Sequence, residues 1–204
     1  MEISINRALS ELKLLNKKIS DKTKSLNVAS AVTSKEVKED AKEMFLKTIE
    51  GNIQRIRDFI DRRQRIKSAI VLSNALTKVV VAGKEMTVAD AIERKQSIQL
   101  DKDLSKRMRE DYFSCKNATD IHNEKASAKA DKQAEAALGA ATEGDKGIQY
   151  KSIYDAYYDT NKAELISIDN IEAMIETDQE RIDEFESEVD FILSESNTKT
   201  MINV

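Results

Sequence analysis

The side chains best equipped for chemistry in this 204-residue chain are few: one cysteine, Cys115, and one histidine, His122. A cysteine–histidine nucleophile needs the imidazole against the thiol and a third group to orient it. On a helix, His122 would share a face with Cys115 but stand two turns away, and the sequence fixes no third group. A lone histidine in a charged helical stretch is about ten times more often a surface residue than a ligand or base. The carboxylates lie almost entirely on periodic helical faces. Asp101 and Asp103 lack the acidic, glycine-containing loop of a calcium-binding EF-hand. A di-iron bundle needs a Glu-x-x-His pattern on two helices, which a single histidine cannot supply. The five glycines are too few and wrongly spaced for either common phosphate-cradling loop. The sequence therefore predicts a non-enzymatic protein with no catalytic, cofactor-binding or metal-binding residues, and no cofactor.

Binding to polyanions or lipid is the next chemistry to weigh. The run Arg62-Arg63-Gln64-Arg65-Ile66-Lys67 could hold phosphates through counterion release. Asp58 and Asp61 sit in the same turns, however, and no known nucleic-acid-binding pattern surrounds the run. A solvated face or an ion-pair strip is about three times the commoner outcome for such charge runs. Tyr150, Tyr154, Tyr157 and Tyr158 form a cluster that could stack bases, but without interleaved arginine they read as interface or core. Membrane helices normally carry a basic polar face, whereas the last helix here is strongly acidic. No uninterrupted apolar run is long enough to span a bilayer. Nucleic acid and membrane are thus the weaker alternatives to protein partners.

These side chains must be positioned by helices. The chain has no proline, where average usage of about 5% would give roughly ten. Proline removes a donor and clashes with the preceding turn, so long helices select against it. Charged residues make up 34% and aromatics 5%, which leaves a thin aliphatic core suited to narrow apolar stripes. Residues 1–100 hold 20 Lys and Arg against 13 Asp and Glu, and residues 101–204 hold 13 against 24. A basic leading half and an acidic final helix could attract each other, within one chain or between subunits. The single cysteine permits no intrachain disulfide and points to a reducing compartment. The acidic Glu2 and the absence of a long apolar core argue that the start is no signal peptide.

Ser4 can cap a first helix with Ile5, Leu9, Leu12, Leu15 and Ile19 in three- and four-residue steps. After a polar loop, Thr33 and Glu36 form a capping box for a second helix reaching about Leu72, with Gly51 a weak point along it. Lys78-Val79-Val80-Val81 is β-branched, and Gly83 before Lys84-Glu85-Met86 predicts a tight hairpin with Gly83 at positive φ. Thr87 and Asp90 cap a third helix whose stripe includes Val88, Ala91, Ile92, Ile98, Met108 and Tyr112. Residues 123–147 are rich in alanine and charge with almost nothing large to bury, and read as a flexible arm or hinge.

The final helix has the clearest pattern. Ile168, Ile175, Ile182 and Val189 stand seven apart, as do Ile171, Asp178, Phe185 and Ile192. These are the a and d positions of a coiled-coil seam with Asp178 as its one polar member, and together they form the candidate interface. A helix from Asn161 to Glu195 would run roughly 50 Å at about 1.5 Å per residue. Ser196 to Val204 reads as a tail. The prediction is an all-α, elongated arrangement of antiparallel helical hairpins and coiled coil, with a small β-hairpin at the tip between the second and third helices. It divides into residues 1–122 (hairpin tip at 78–87), an arm or hinge at 123–160, and an acidic coiled-coil helix and tail at 161–204.

Three segments resemble the septicolysin-like family of small helical bacterial and phage proteins. They are RALSELKLLNKKI near the start, residues 62–98 with Asn74, Thr77, Gly83, Thr87 and Ala91, and the ending IDEFESEVDFILSESNTKT. Two features depart from the pattern: residues 23–48 look inserted, and threonine follows Asn197 where relatives often have tryptophan. The family carries no established catalytic residues, so none transfers. The resemblance implies a helical architecture and a phage or bacterial origin. Together with the seam it predicts a structural or assembly protein of a bacteriophage virion, as a tail, baseplate or capsid accessory subunit made in the host cytoplasm. Its partners would be copies of itself or other virion subunits. The family's name raises membrane activity as the alternative, with nucleic-acid binding behind it.

Overall fold

The computed structural model describes residues 1–31, 38–139 and 146–204. Among these, the order is β1 (Glu2–Ser4), α1 (Ile5–Lys24), α2 (Glu39–Leu76), β2 (Lys78–Val81), β3 (Lys84–Thr87), α3 (Val88–Leu138), α4 (Lys146–Asn161), α5 (Ile171–Lys199) and β4 (Met201–Asn203). The protein is all-α with small antiparallel pairings, and β2–β3 lies between the second and third helices as the β-branched run predicts. The capping box at Thr33 and Glu36 lies outside the described residues. Helix α2 passes through Gly51 without a break and runs four residues beyond the expected end at Leu72.

Two compact units emerge, dividing the chain differently from the boundaries expected at 122 and 160. One comprises Met1–Ser97 with Glu184–Val204, the other Ile98–Asp183, so α3 and α5 each supply a segment to both. The first unit is organised around α1 and α2. The Ser4 hydroxyl accepts from the Arg7 amide at 3.3 Å and starts α1, satisfying one of the orphan donors of the first turn. Ile3, Ile5, Ala8, Leu15, Ile66, Ile70 and Ile202 form its core, with Leu12, Phe59, Ala69 and Val204 at the margin. Arg62 donates to Glu11 at 2.9 Å, Arg63 to Asn16, and the Lys18 ammonium lies 5.7 Å from the Phe59 ring centre. The basic run thus helps join α2 to α1.

Residues 196–204 are not a tail. Helix α5 continues to Lys199, and β4 pairs antiparallel with β1 in the register Glu2↔Asn203, Ile3↔Ile202 and Ser4↔Met201. Ile3 and Ile202 alternate inward in this ladder and are almost wholly buried. The Ile5 amide donates to the Thr200 carbonyl at 3.0 Å, and Asn6 donates to Thr198 at 2.8 Å, so the pairing carries on into the helix ends.

In the second unit, residues 123–138 are not an exposed arm. Ala126, Ala130 and Ala134 recur at one helical face of α3 and are buried. Alanine leaves room for a second backbone to come close, and α4 bonds to this part of α3 through two of its tyrosines. Tyr150 donates to Asp131 at 2.6 Å, and the Tyr154 and Ser127 hydroxyls meet at 2.9 Å. Tyr150, Tyr154 and Tyr158 stack along α4 with ring centres 6.4 and 5.7 Å apart.

Candidate functional site

The expected seam on the last helix is only partly helical, and its helical part is covered by the chain itself. Residues 162–170 separate α4 from α5, and Ile168 falls in that connection with 58% of its surface exposed. The break has local causes. His122 Nε2 donates to the Asn161 carbonyl at 2.8 Å, satisfying one of the four orphan acceptors at the end of α4. Asn123 clamps Ala163 in both directions, accepting from its amide at 2.7 Å and donating to its carbonyl at 3.1 Å. Asn170 then takes φ +60° immediately before α5, a left-handed conformation asparagine tolerates. His122 therefore has a structural partner despite its exposure.

Of the remaining seam residues, Ile175, Ile182, Phe185 and Val189 are buried, while Ile171, Asp178 and Ile192 are half-buried. Their apolar row is a core stripe of this chain and is not free to receive a partner. Among the described residues, the ion-pair partner of Asp178 lies on its own helix. The Asp178 carboxylate lies 3.7 Å from Arg181 and keeps 36% of its side-chain surface in solvent. The seam is open to water at that level.

In the first unit, the flanks of the Val189 turn hold the hairpin and the start of α3. The Ala82 amide donates to Glu188 at 2.8 Å, Lys95 pairs with Asp190, and the Arg94 guanidinium lies 5.9 Å from the Phe185 ring centre. The two-residue turn itself has Ala82 at φ +49° and Gly83 at φ +68°, with Val81 paired to Lys84. Two positive φ values define a type I′ turn, whose twist matches that of the flanking strands. Gly83 is where the sequence places it. Ala82, an L-residue in the left-handed region, is a feature the sequence does not announce. At the hairpin's far end, Thr87 and Asp90 exchange hydrogen bonds as expected: Asp90 N–H to Thr87 Oγ1 at 3.0 Å, and Thr87 Oγ1 to Asp90 Oδ2 at 2.7 Å.

In the second unit, three ionisable groups meet at the start of α5. Tyr112 and Lys116 of α3 both donate to Glu172 in the first turn of α5, at 2.9 and 2.6 Å. The Lys116 hydrogen bond, then that from Tyr112, holds the Glu172 carboxyl below its usual range. The same hydrogen bonds raise the Lys116 and Tyr112 values. Tyr150 is pushed up to about 12 by its bond to Asp131, with burial second. These contacts tie helices together: each ionisable group spends its polarity on a neighbouring element. Cys115 is exposed, with the Thr119 hydroxyl bonded to its carbonyl, so its backbone rather than its thiol is engaged.

No family model, curated protein or solved structure matches this chain. Function must be read from its surfaces. No helix among the described residues is long and apolar enough to cross a membrane. What α2 and α3 do carry is a succession of large apolar side chains facing solvent. Leu46, Ile60, Val71, Leu72 and Leu76 are exposed on α2, and Leu100 and Leu104 on α3. Leu46, Ile53 and Ile60 stand seven apart, the periodicity of a coiled-coil seam, with Ile53 half-buried between its exposed neighbours. In the sequence, Ile49, Ile53, Ile56, Ile60, Ile66 and Ile70 follow one another in a single apolar stripe of α2. The structure splits them into a buried row at Ile49, Ile56, Ile66 and Ile70 and this second, exposed one.

Proposed function

We propose that this chain is a non-enzymatic structural or assembly protein that acts through helix–helix packing, as a subunit of a bacteriophage virion. The observation that carries the packing reading is the apolar row Leu46–Ile53–Ile60, exposed at both ends and half-buried at Ile53, beside the row of α2 already committed to the chain's own core. Single exposed apolar residues are ordinary, but a row spaced by seven is the pattern that partner helices recognise. The virion assignment rests on the resemblance of residues 62–98 and of the two end segments to septicolysin-like helical proteins of phages. In this reading the chain is made in the host cytoplasm and incorporated with copies of itself or with other virion subunits.

Mass spectrometry of purified particles against infected-cell lysate tests the assignment. Stoichiometric recovery of the chain in particles is expected, and its confinement to the soluble lysate would contradict a virion role. A vesicle assay separates the membrane alternative. The purified chain should release no dye from vesicles containing anionic lipid, whereas dose-dependent leakage would replace this reading with a membrane-active one.

A further inference from the structure

We infer that the exposed row of α2 is covered by the α2 of a second copy, running antiparallel about a two-fold axis near Ile53 and Gln54. The inference rests on the packing reading above and names its partner. Helix α2 has 38 residues and α1 has 20. The contact of Lys18 with Phe59 places the end of α1, six residues later, near residue 53 of α2. The first part of α2 therefore runs past its neighbour and shows Met44 and Leu46 to solvent.

Charge selects the occupant. The first part of α2 carries Glu39, Asp40, Glu43 and Glu50 against Lys42 and Lys47. From Arg55 to Lys67 the balance reverses: with Arg62 and Arg63 engaged by α1, Arg55, Arg57, Arg65 and Lys67 stand against Asp58 and Asp61. A parallel copy would set like charge beside like. An antiparallel copy sets the acidic part of each helix on the basic part of the other. With the axis between Ile53 and Gln54, Glu50 faces Arg57 of the other copy, and Arg57 faces its Glu50. Both residues are exposed on the flank of the apolar row, and neither has a partner among the described residues. Leu46 falls beside Ile60 of the other copy and Ile53 beside its own equivalent. The contact is isologous, so it closes on itself as a dimer. The helical overlap would extend over about thirty residues, with the apolar row filling its central two heptad steps.

The test exchanges the charges and traps the axis. Glu50→Arg and Arg57→Glu, each alone, put like charges together twice per dimer, and each should raise the dimer Kd by about ten-fold or more. The double variant restores both pairs and should return the Kd to within about three-fold of the parent. Circular dichroism should show all three folded, since both positions are exposed. In a Cys115→Ser background, Ile53→Cys should form an interchain disulfide on mild oxidation, and Ser68→Cys should not. Self-association that ignores the charge exchange, or that fails to cross-link at residue 53, would overturn this axis and leave the packing reading standing. A chain that remains a monomer at every concentration would overturn the self-pairing, and its absence from purified particles as well would overturn the packing reading.

Discussion

At the scale of single residues, the hairpin turn shows how little sequence is needed to fix a local geometry. A β-branched run, then Gly83, then polar residues suffice because a two-residue turn between twisted strands needs positive φ, which glycine adopts without strain. Gly83 has open space around its Cα, so substitution there acts through backbone conformation and not through a clash. Gly83→Val should lower stability by about 1 kcal/mol or more, read as a fall in melting temperature. An unchanged melt would show that the turn tolerates a β-branched left-handed residue. Asp178 gives the opposite sign. Its ion pair with Arg181 is exposed, and pairs of that kind contribute between zero and about 1 kcal/mol. Between apolar neighbours on the seam, Asp178→Leu should raise the melting temperature. A marked fall would mean the carboxylate has a stronger partner than Arg181.

At the scale of elements, legibility followed the range of the interactions. The caps at Ser4 and at Thr87 with Asp90 are visible in sequence because donor and acceptor lie three residues apart. Strands β1 and β4 are invisible there: each has three residues, too few for a period, and the partner lies at the other end of the chain. The break after Asn161 is hidden for a related reason, since His122 and Asn123, forty positions away, hold the chain there while Ile168 continues the heptad spacing. The alanine face of α3 did have a signal. Ala126, Ala130 and Ala134 recur at four-residue steps, as Tyr150, Tyr154 and Tyr158 do on α4. Ala130 has no exposed surface, and Ala130→Leu should destabilise the second unit by about 1–3 kcal/mol through overpacking. Thermal melting followed by tyrosine fluorescence would report it, and an unaltered melt would mean that α4 is not seated there.

The polar links between α3 and its neighbours add a pH dependence. Glu172 has a lowered value, so its contribution is complete above the ordinary carboxylate range and disappears as pH falls through the folded-state value. Lys116 is raised, so its contribution is complete below the ordinary ammonium value and disappears as pH climbs through the folded one. Tyr150, raised to about 12, behaves as Lys116 does: the neutral phenol stabilises the fold until pH passes from about 10 to about 12. A phenolate absorbance titration should show a step near pH 12, and Asp131→Asn should move that step to lower pH. A titration that Asp131→Asn leaves unaltered would contradict the Tyr150–Asp131 bond.

At the scale of the whole molecule, two compact units use the chain's apolar residues unequally. The seam on α5 that looks most like an interface in sequence is consumed internally at Ile175, Ile182, Phe185 and Val189. The stripe on α2 that looks like ordinary core is only half consumed, which leaves Leu46 and Ile60 in solvent. Periodicity reveals that a face is apolar but not which neighbour covers it, because that depends on where the other elements end. Here α1 ends too early to run beside Leu46, and Ile60 lies on a part of the α2 surface that α1 leaves open. The central claim is that this uncovered face works by association. It is tested most directly by the mass of the purified full chain in solution, measured by light scattering over a range of concentrations. The account predicts a species of twice the 23.0 kDa chain mass that dissociates on dilution. A mass of 23.0 kDa at every concentration would contradict it.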